Sequence, residues 1–260
     1  MTRASSSRSE LTWLRRQPAS PPIVVAHRGA SGEAPENTLA AFRLAVEQGA
    51  QYVECDVHLS SDGVPVVIHD EKVDRTTNGT GEVARMTLAE LRALDAGGWL
   101  RPEFGGEKLP TLDEALAACA GKARMFVELK RGGGEALVEA SLAAIERGRC
   151  EVAVISFGPE EVRALAARRP DLPLGFLIGR ATLAQHGLER ALAAARERGA
   201  SFFSPQQDAV DAGVIEAAHA AGMPVSVWTV DDAARMTGLA GAGVDAITTN
   251  LPALALRTLA

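Results

Sequence analysis

Residues 54 to 70, ECDVHLSSDGVPVVIHD, put two carboxylates, Glu54 and Asp56, and a histidine, His69, on what reads as one β-hairpin. Ionised carboxylates at buried strand positions are costly unless a cation neutralises them, and oxygen ligands so placed suit a metal ion. The segment FVELK repeats the device, with Glu128 and Lys130 at i and i+2 and therefore on one face at a strand end. AHRG adds His27 and Arg28 at the end of an earlier strand. Three carboxylates without thiolates suit one divalent cation, Mg²⁺ or Ca²⁺, rather than structural zinc. Arg28 and Lys130 match the charge of a phosphodiester, and two histidines titrating near neutrality supply a general acid and a general base. The combination reads as metal-assisted phosphodiester cleavage, with Glu54, Asp56 and Glu128 as the metal ligands.

The hairpin must position these groups. Asp62-Gly63 is a two-residue type I′ turn signal, which sets Ser61 opposite Val64 and Asp56 opposite His69. Alternation then turns Glu54 and Asp56 inward, and Cys55 and Val57 outward against helices. His58 shares the inward parity but lies farther out, at the rim.

Eight strand-like segments run along the chain: IVVAH, YVECDVH, ARMFVEL, VAVISF, PLGFLI, SFFS, PVSVWTV and DAITT, each bounded by Gly, Pro or polar turns. Ala/Leu-rich helical patterns alternate with them, among them TLAQHGLERALAAARERG, read as one helix. Such alternation predicts an α/β fold, a (β/α)₈ TIM barrel, whose active sites lie at the C-terminal strand ends. No Gly-x-Gly-x-x-Gly or P-loop points to a nucleotide instead. From Glu71 to Pro110 a small insertion follows the second strand unit, far longer than an ordinary βα loop. The capping-box patterns TLAE from Thr87 and TLDE from Thr111 start one helix inside it and the next barrel helix after it. Trp99 and Phe104 are expected to anchor it on the barrel mouth, with a wall of the substrate pocket as the lesser alternative.

With 260 residues, 47% hydrophobic and 23% charged, the chain can bury a large core, and a formal net charge of −6 argues against nucleic acid as a partner. Cys55, Cys119 and Cys150 suggest neither a disulfide framework nor a thiolate site. The first residues lack an apolar h-region, and no run approaches the length of a membrane span. We therefore expect a cytoplasmic protein without stable membrane insertion, with a loose tail over residues 1–20 and the barrel domain over 21–260. The sequence leaves the oligomeric state open.

Taken in order, AHRGASGEAPENTLAAF, the hairpin segment through DRTTNGTG, LPTLDEAL, FVELK, SVWTV and GVDAITTNLP resemble the glycerophosphodiester phosphodiesterases. The resemblance spans nearly the whole chain after the tail. It implies a TIM barrel with an insertion after the second strand, a small-molecule glycerophosphodiester substrate, His27 and His69 as the acid/base pair, Glu54, Asp56 and Glu128 on the metal, and Arg28 and Lys130 on phosphate. It also implies that Glu36 and Asn37 line the mouth, Asn37 being equally a candidate helix N-cap, and that Trp228 packs on glycerol, with ordinary core as the alternative. SPQQD departs from the family's Asn-containing pattern after the sixth strand, which leaves the alcohol side open. Competing expectations are a lysophospholipase D-like or sphingomyelinase D-like activity, and a non-catalytic phosphodiester-binding protein.

Overall fold

In the computed structural model, residue 14 and residues 20–260 are described. The elements run β1 (Ile23–Ala26), α1 (Leu39–Glu47), β2 (Tyr52–Leu59), β3 (Pro65–Val67), α2 (Leu88–Ala93), α3 (Leu112–Cys119), β4 (Arg124–Leu129), α4 (Gly134–Arg147), β5 (Val152–Ser156), α5 (Pro159–Arg168), β6 (Leu174–Ile178), α6 (Arg180–His186), α7 (Leu188–Glu197), β7 (Phe202–Pro205), α8 (Ala212–Ala220), β8 (Ser226–Val227), α9 (Ala233–Gly241), β9 (Ala246–Thr249) and α10 (Pro252–Leu259). Eight parallel strands follow one another from β1 through β2, β4, β5, β6 and β7, and from β8 through β9 back to β1. Parallel bridges Phe203 to Val225 and Gln206 to Trp228 join β7 to β8 and close the TIM barrel.

Alternation along each strand makes two cores. Outward residues such as Cys55, Val57 and Val127 pack on Phe42 and Ala45 of α1 and on Leu112, Leu116 and Cys119 of α3. Inward residues Val25, Tyr52, Phe126, Ile155, Leu177 and Phe202 form a separate interior cluster, in which Phe126 meets Phe202 at 5.7 Å between ring centres. The inward positions one layer higher carry the candidate catalytic groups. Leu14 also belongs to this interior cluster and is fully buried. Its burial is at odds with a loose tail at that position; the rest of that expectation, over residues 1–13 and 15–19, lies outside the described residues.

The hairpin differs from the sequence register by one residue. Val57 pairs with Val67, His58 with Val66 and Leu59 with Pro65, and Ser60 N–H bonds to Val64 O at 3.0 Å. The turn therefore has three residues, Ser61 to Gly63. A type I′ turn needs positive φ at both Asp62 and Gly63, whereas only Gly63 has it, at 80°. Asp62 instead turns its carboxylate to Ser60 Oγ at 2.6 Å and to Leu88 N–H at 3.0 Å, next to the start of α2. Asp56 consequently stands level with Ile68, whose N–H bonds to Asp56 O at 3.0 Å, and not with His69.

Both capping boxes form, Thr87 with Glu90 and Thr111 with Glu114. The insertion has its own core of Val66, Ile68, Val73, Val83, Leu91, Ala96 and Leu109. Those residues, not Trp99 and Phe104, anchor it. Trp99 is 39% exposed, and its indole N–H donates to Ala96 O within the same turn at 2.9 Å. The stretch read as one helix after β6 is two, α6 and α7, because Gly187 adopts φ 79° and ends the first. The three cysteines are free.

Candidate active site

In parallel register Asp56 of β2 lies beside Glu128 of β4, with Glu54 two residues earlier on the same face. Carboxylate oxygens of Glu54, Asp56 and Glu128 lie within 4.8 Å of one another, all buried. Lys130, just past β4, donates through Nζ to Asp56 Oδ1 at 3.0 Å and to Glu128 Oε1 at 2.8 Å. Arg28 follows β1 in the left-handed region, with φ 56°. That turn aims its N–H at Glu54 Oε2 (2.9 Å) and brings Nε to 3.1 Å from Asp56 Oδ2. Gly29 next to it has φ 83°, and a Cβ there would fall 2.5 Å from the carbonyl carbon of Ala41, so the chain presses on α1 where only glycine fits.

Two cations do not fully offset three buried carboxylates. Burial, then the charges of Asp56 and Glu128, push Glu54 well above the usual carboxylate range. Glu128 is pushed up to about 7, by burial and then by Asp56, against Lys130. Burial also opposes ionisation of Asp56, but Lys130 and Arg28 outweigh it and hold that carboxyl below its ordinary range. A cluster of hard oxygen donors that repel one another out of water fits a divalent cation.

Both imidazoles are oriented through Nδ1. His27 N–H continues the β1–β9 ladder to Thr249 O at 2.8 Å, and its Nδ1 meets Asn250 Oδ1 at 2.7 Å. Asn250 donates its amide to Asp231 Oδ2 at 2.6 Å, while Asp231 Oδ1 accepts from Asn250 N–H and Thr249 Oγ1, each at 2.8 Å. With the amide nitrogen committed to Asp231, its oxygen faces His27, which must donate from Nδ1 and leave Nε2 free. Burial, and next the charge of Arg28, lower His27 to about 4. His69 lies past the end of β3. His58 Nε2–H holds its carbonyl at 3.0 Å, and its Nδ1 meets Asp70 Oδ1 at 2.6 Å. Burial lowers His69 below its ordinary value, against the charge of Asp56. The charge of Asp56 reaches His69, although the ladder register does not pair the two residues.

Glu36 accepts from Arg28 Nη1 at 2.8 Å and from both terminal nitrogens of Arg75 at 2.8 Å. Asn37 is not the cap of α1; Thr38 is, accepting from Ala41 N–H. The Asn37 side chain clamps Asp56 instead, donating to Oδ2 at 2.8 Å and accepting from its N–H at 3.2 Å. Trp228 is half-buried at the mouth, its indole N–H on Ser204 O at 2.9 Å and its ring edge-to-face with Phe157 at 5.4 Å. The structure thus links nine of the ten residues singled out in the sequence through hydrogen bonds and charge at the C-terminal mouth, and sets the tenth, Trp228, just past the end of β8 against Phe157. It adds Asp70, Arg75, Asp231 and Asn250. Strand parity from Ala246 through Thr248 would have marked Asn250, and adjacency to His69 would have marked Asp70. Arg75 had no local signal.

A (β/α)₈ barrel with carboxylates, two imidazoles and two cations at its C-terminal mouth has the equipment of an acid/base enzyme. The chain matches the pattern of the Glycerophosphoryl diester phosphodiesterase family over residues 27–254, and it belongs to that enzyme family. It is 38% identical over 235 residues to the glycerophosphodiester phosphodiesterase of Caldanaerobacter subterraneus subsp. tengcongensis, covering 88% of this chain and 94% of that one. Among solved structures it is similar to an Oleispira antarctica phosphodiesterase in complex with the product sn-glycerol-3-phosphate, with a TM-score of 0.85 and 32% identity over 92% of this chain and 96% of that one. It is also similar to the glycerophosphodiester phosphodiesterase of Agrobacterium tumefaciens, with a TM-score of 0.77 and 36% identity over 91% and 99% of the two chains.

Proposed function

We propose that this enzyme hydrolyses small glycerophosphodiesters, such as glycerophosphocholine or glycerophosphoethanolamine, to glycerol 3-phosphate and an alcohol in a divalent-metal-dependent reaction. The observation that carries the reading is the buried triad of Glu54, Asp56 and Glu128, its oxygens within 4.8 Å of one another in the same mouth as His27 and His69. Mg²⁺ or Ca²⁺ held by these three would neutralise phosphate charge and make an oxygen ligand more acidic.

The chain's own residues do the rest. Arg28 and Lys130 hold the phosphodiester anion against the triad, and Trp228 packs on the glycerol moiety, with Glu36 and Asn37 lining the entrance. His27, uncharged at neutral pH and with Nε2 free, takes the proton of the attacking hydroxyl, from water or from the substrate's own glycerol. His69, whose Nδ1 leans on a carboxylate, is the better proton carrier and delivers one to the leaving oxygen. We place the reaction in the cytoplasm; the three free cysteines support a reducing setting. Among the described residues no helix is long and apolar enough to cross a membrane, in keeping with water-soluble substrates.

The test is a product assay on a panel of glycerophosphodiesters and lysolipids with Mg²⁺, Ca²⁺ or chelator. Glycerol 3-phosphate is expected from the small diesters, abolished by chelation and restored by one of the two ions. Full turnover in metal-free protein would overturn the metal assignment, and a higher kcat/KM on a lysolipid would overturn the substrate class.

A further inference from the structure

The insertion sends Arg75 back to the catalytic mouth. Its loop is pinned on both sides, by Val73 N–H to Gly81 O at 3.0 Å and by Gly81 N–H to the Asp74 carboxylate at 3.0 Å, and Val73 is buried in the insertion's own core. The guanidinium forks two ways. Nη1 and Nη2 donate to the two oxygens of Glu36, each at 2.8 Å. Nε and Nη2 donate to the two oxygens of Asp70, at 2.7 and 3.0 Å. Each carboxylate is also engaged on its catalytic side. Glu36 Oε1 accepts from Arg28 Nη1 at 2.8 Å, and Asp70 Oδ1 meets His69 Nδ1 at 2.6 Å.

We propose that Arg75 is a positioning residue, which fixes the Asp70 carboxylate so that His69 presents Nε2 to the phosphodiester and, in the same grip, sets the reach of Arg28 through Glu36. The inference rests on the roles given above to His69 and Arg28. A carboxylate one residue from its histidine is free to rotate, and a rotated carboxylate lets the imidazole turn or exchange tautomers. A planar guanidinium that donates to both oxygens removes that freedom, which a lysine ammonium does not. The bland alternative is a surface ion pair. Arg75 is 44% exposed, and exposed pairs contribute little to stability. The two readings differ in where the loss appears. Positioning acts on kcat and on the imidazole, whereas a surface pair acts weakly on unfolding alone.

The experiment uses the full chain with its metal and compares Arg75→Ala, Arg75→Lys and Asp70→Asn with wild type. Arg75→Ala is expected to lower kcat by about ten- to a hundredfold, the range seen when groups supporting a catalytic ligand are lost, with a smaller change in KM and little change in Tm. Added guanidinium should restore part of its kcat and leave wild type unaffected. Arg75→Lys should behave like Arg75→Ala and, should the alanine variant not fold, replaces it. Because part of the effect of Arg75 passes through Asp70, Asp70→Asn combined with Arg75→Ala should lose clearly less than the product of the two single losses, the remainder being the part that passes through Glu36. Nitrogen-15 spectra of histidine-labelled protein should show neutral His69 as a single Nδ1–H tautomer in wild type and as a mixture in the variant. A kcat within about twofold of wild type, or an unchanged tautomer in a merely destabilised variant, would overturn the proposal. The spectra need no substrate, so if wild type cleaves no glycerophosphodiester the substrate reading fails while the positioning role is still decided.

Discussion

At the mouth of the barrel His27 leans on the amide of Asn250 and His69 on the carboxylate of Asp70, and the proposed division of proton work rests on that difference. If His69 protonates the leaving oxygen, its removal hurts most where the leaving alcohol is a poor one. His69→Ala is expected to lose on the order of a hundredfold or more in kcat on glycerophosphocholine, and to recover most of that on a diester whose leaving group is p-nitrophenol. His27→Ala should stay impaired on both, and steady-state kinetics on the two substrates checks the assignment. The burial that lowers His27 to about 4 also makes a stability statement. Between about 4 and the ordinary 6.5 the unfolded chain binds more proton than the folded one, so this contribution is complete above 6.5 and is lost as pH falls toward 4. It amounts to about 3 kcal/mol at most. In His27→Gln the fall in urea-unfolding free energy from pH 6.5 to pH 4.5 should be shallower than in chelator-treated wild type; an equal fall would contradict the lowered value.

The elements that carry these residues were legible to different depths. Period-two alternation marked Glu54, Asp56 and Glu128 as one inward face because a strand has two sides, and that holds whatever the tertiary context. The capping boxes at Thr87 and Thr111 were readable for the same reason: donor and acceptor lie within one turn. The hairpin register was not, because Asp-Gly serves two turn geometries, and a contact outside the hairpin, Asp62 with the start of α2, selects between them. Asn37 likewise reads as a cap in isolation, and only the approach of β2 gives its amide Asp56 to hold. Arg75 meets Glu36 across 39 residues of sequence, a pairing that no local pattern encodes. The cap at Thr111 offers a test at this scale, since α3 packs directly behind the strands bearing the triad. Thr111→Ala should cost about 1 kcal/mol of stability, read from the denaturation midpoint. KM should hardly move, because the strands, not the helix end, carry the triad.

For the molecule as a whole, the barrel interior holds Leu14, fully buried with inward residues such as Val25, Phe126 and Phe202. Leu14→Ala should therefore destabilise by about 2–5 kcal/mol, as loss of a buried leucine does, lowering Tm while kcat at 25 °C stays near wild type. A variant as stable as wild type would show that the contact carries no weight. The ring of inward side chains is also unevenly divided. Neighbouring strands β9, β1, β2 and β4 carry Asn250, His27, Asp56 and Glu128 within or just past their C-terminal halves, whereas the inward positions of β5, β6 and β8 offer Ile155, Phe157, Leu177 and Trp228, with Ser204 of β7 among them. A wall of low polarizability facing a charged one bends field lines across the opening instead of letting them spread into water. Once a divalent cation offsets the three carboxylates, an arriving diester would be turned with its anionic centre toward that side and its carbon arms toward the other. The lopsided ring works as a compass as well as a container.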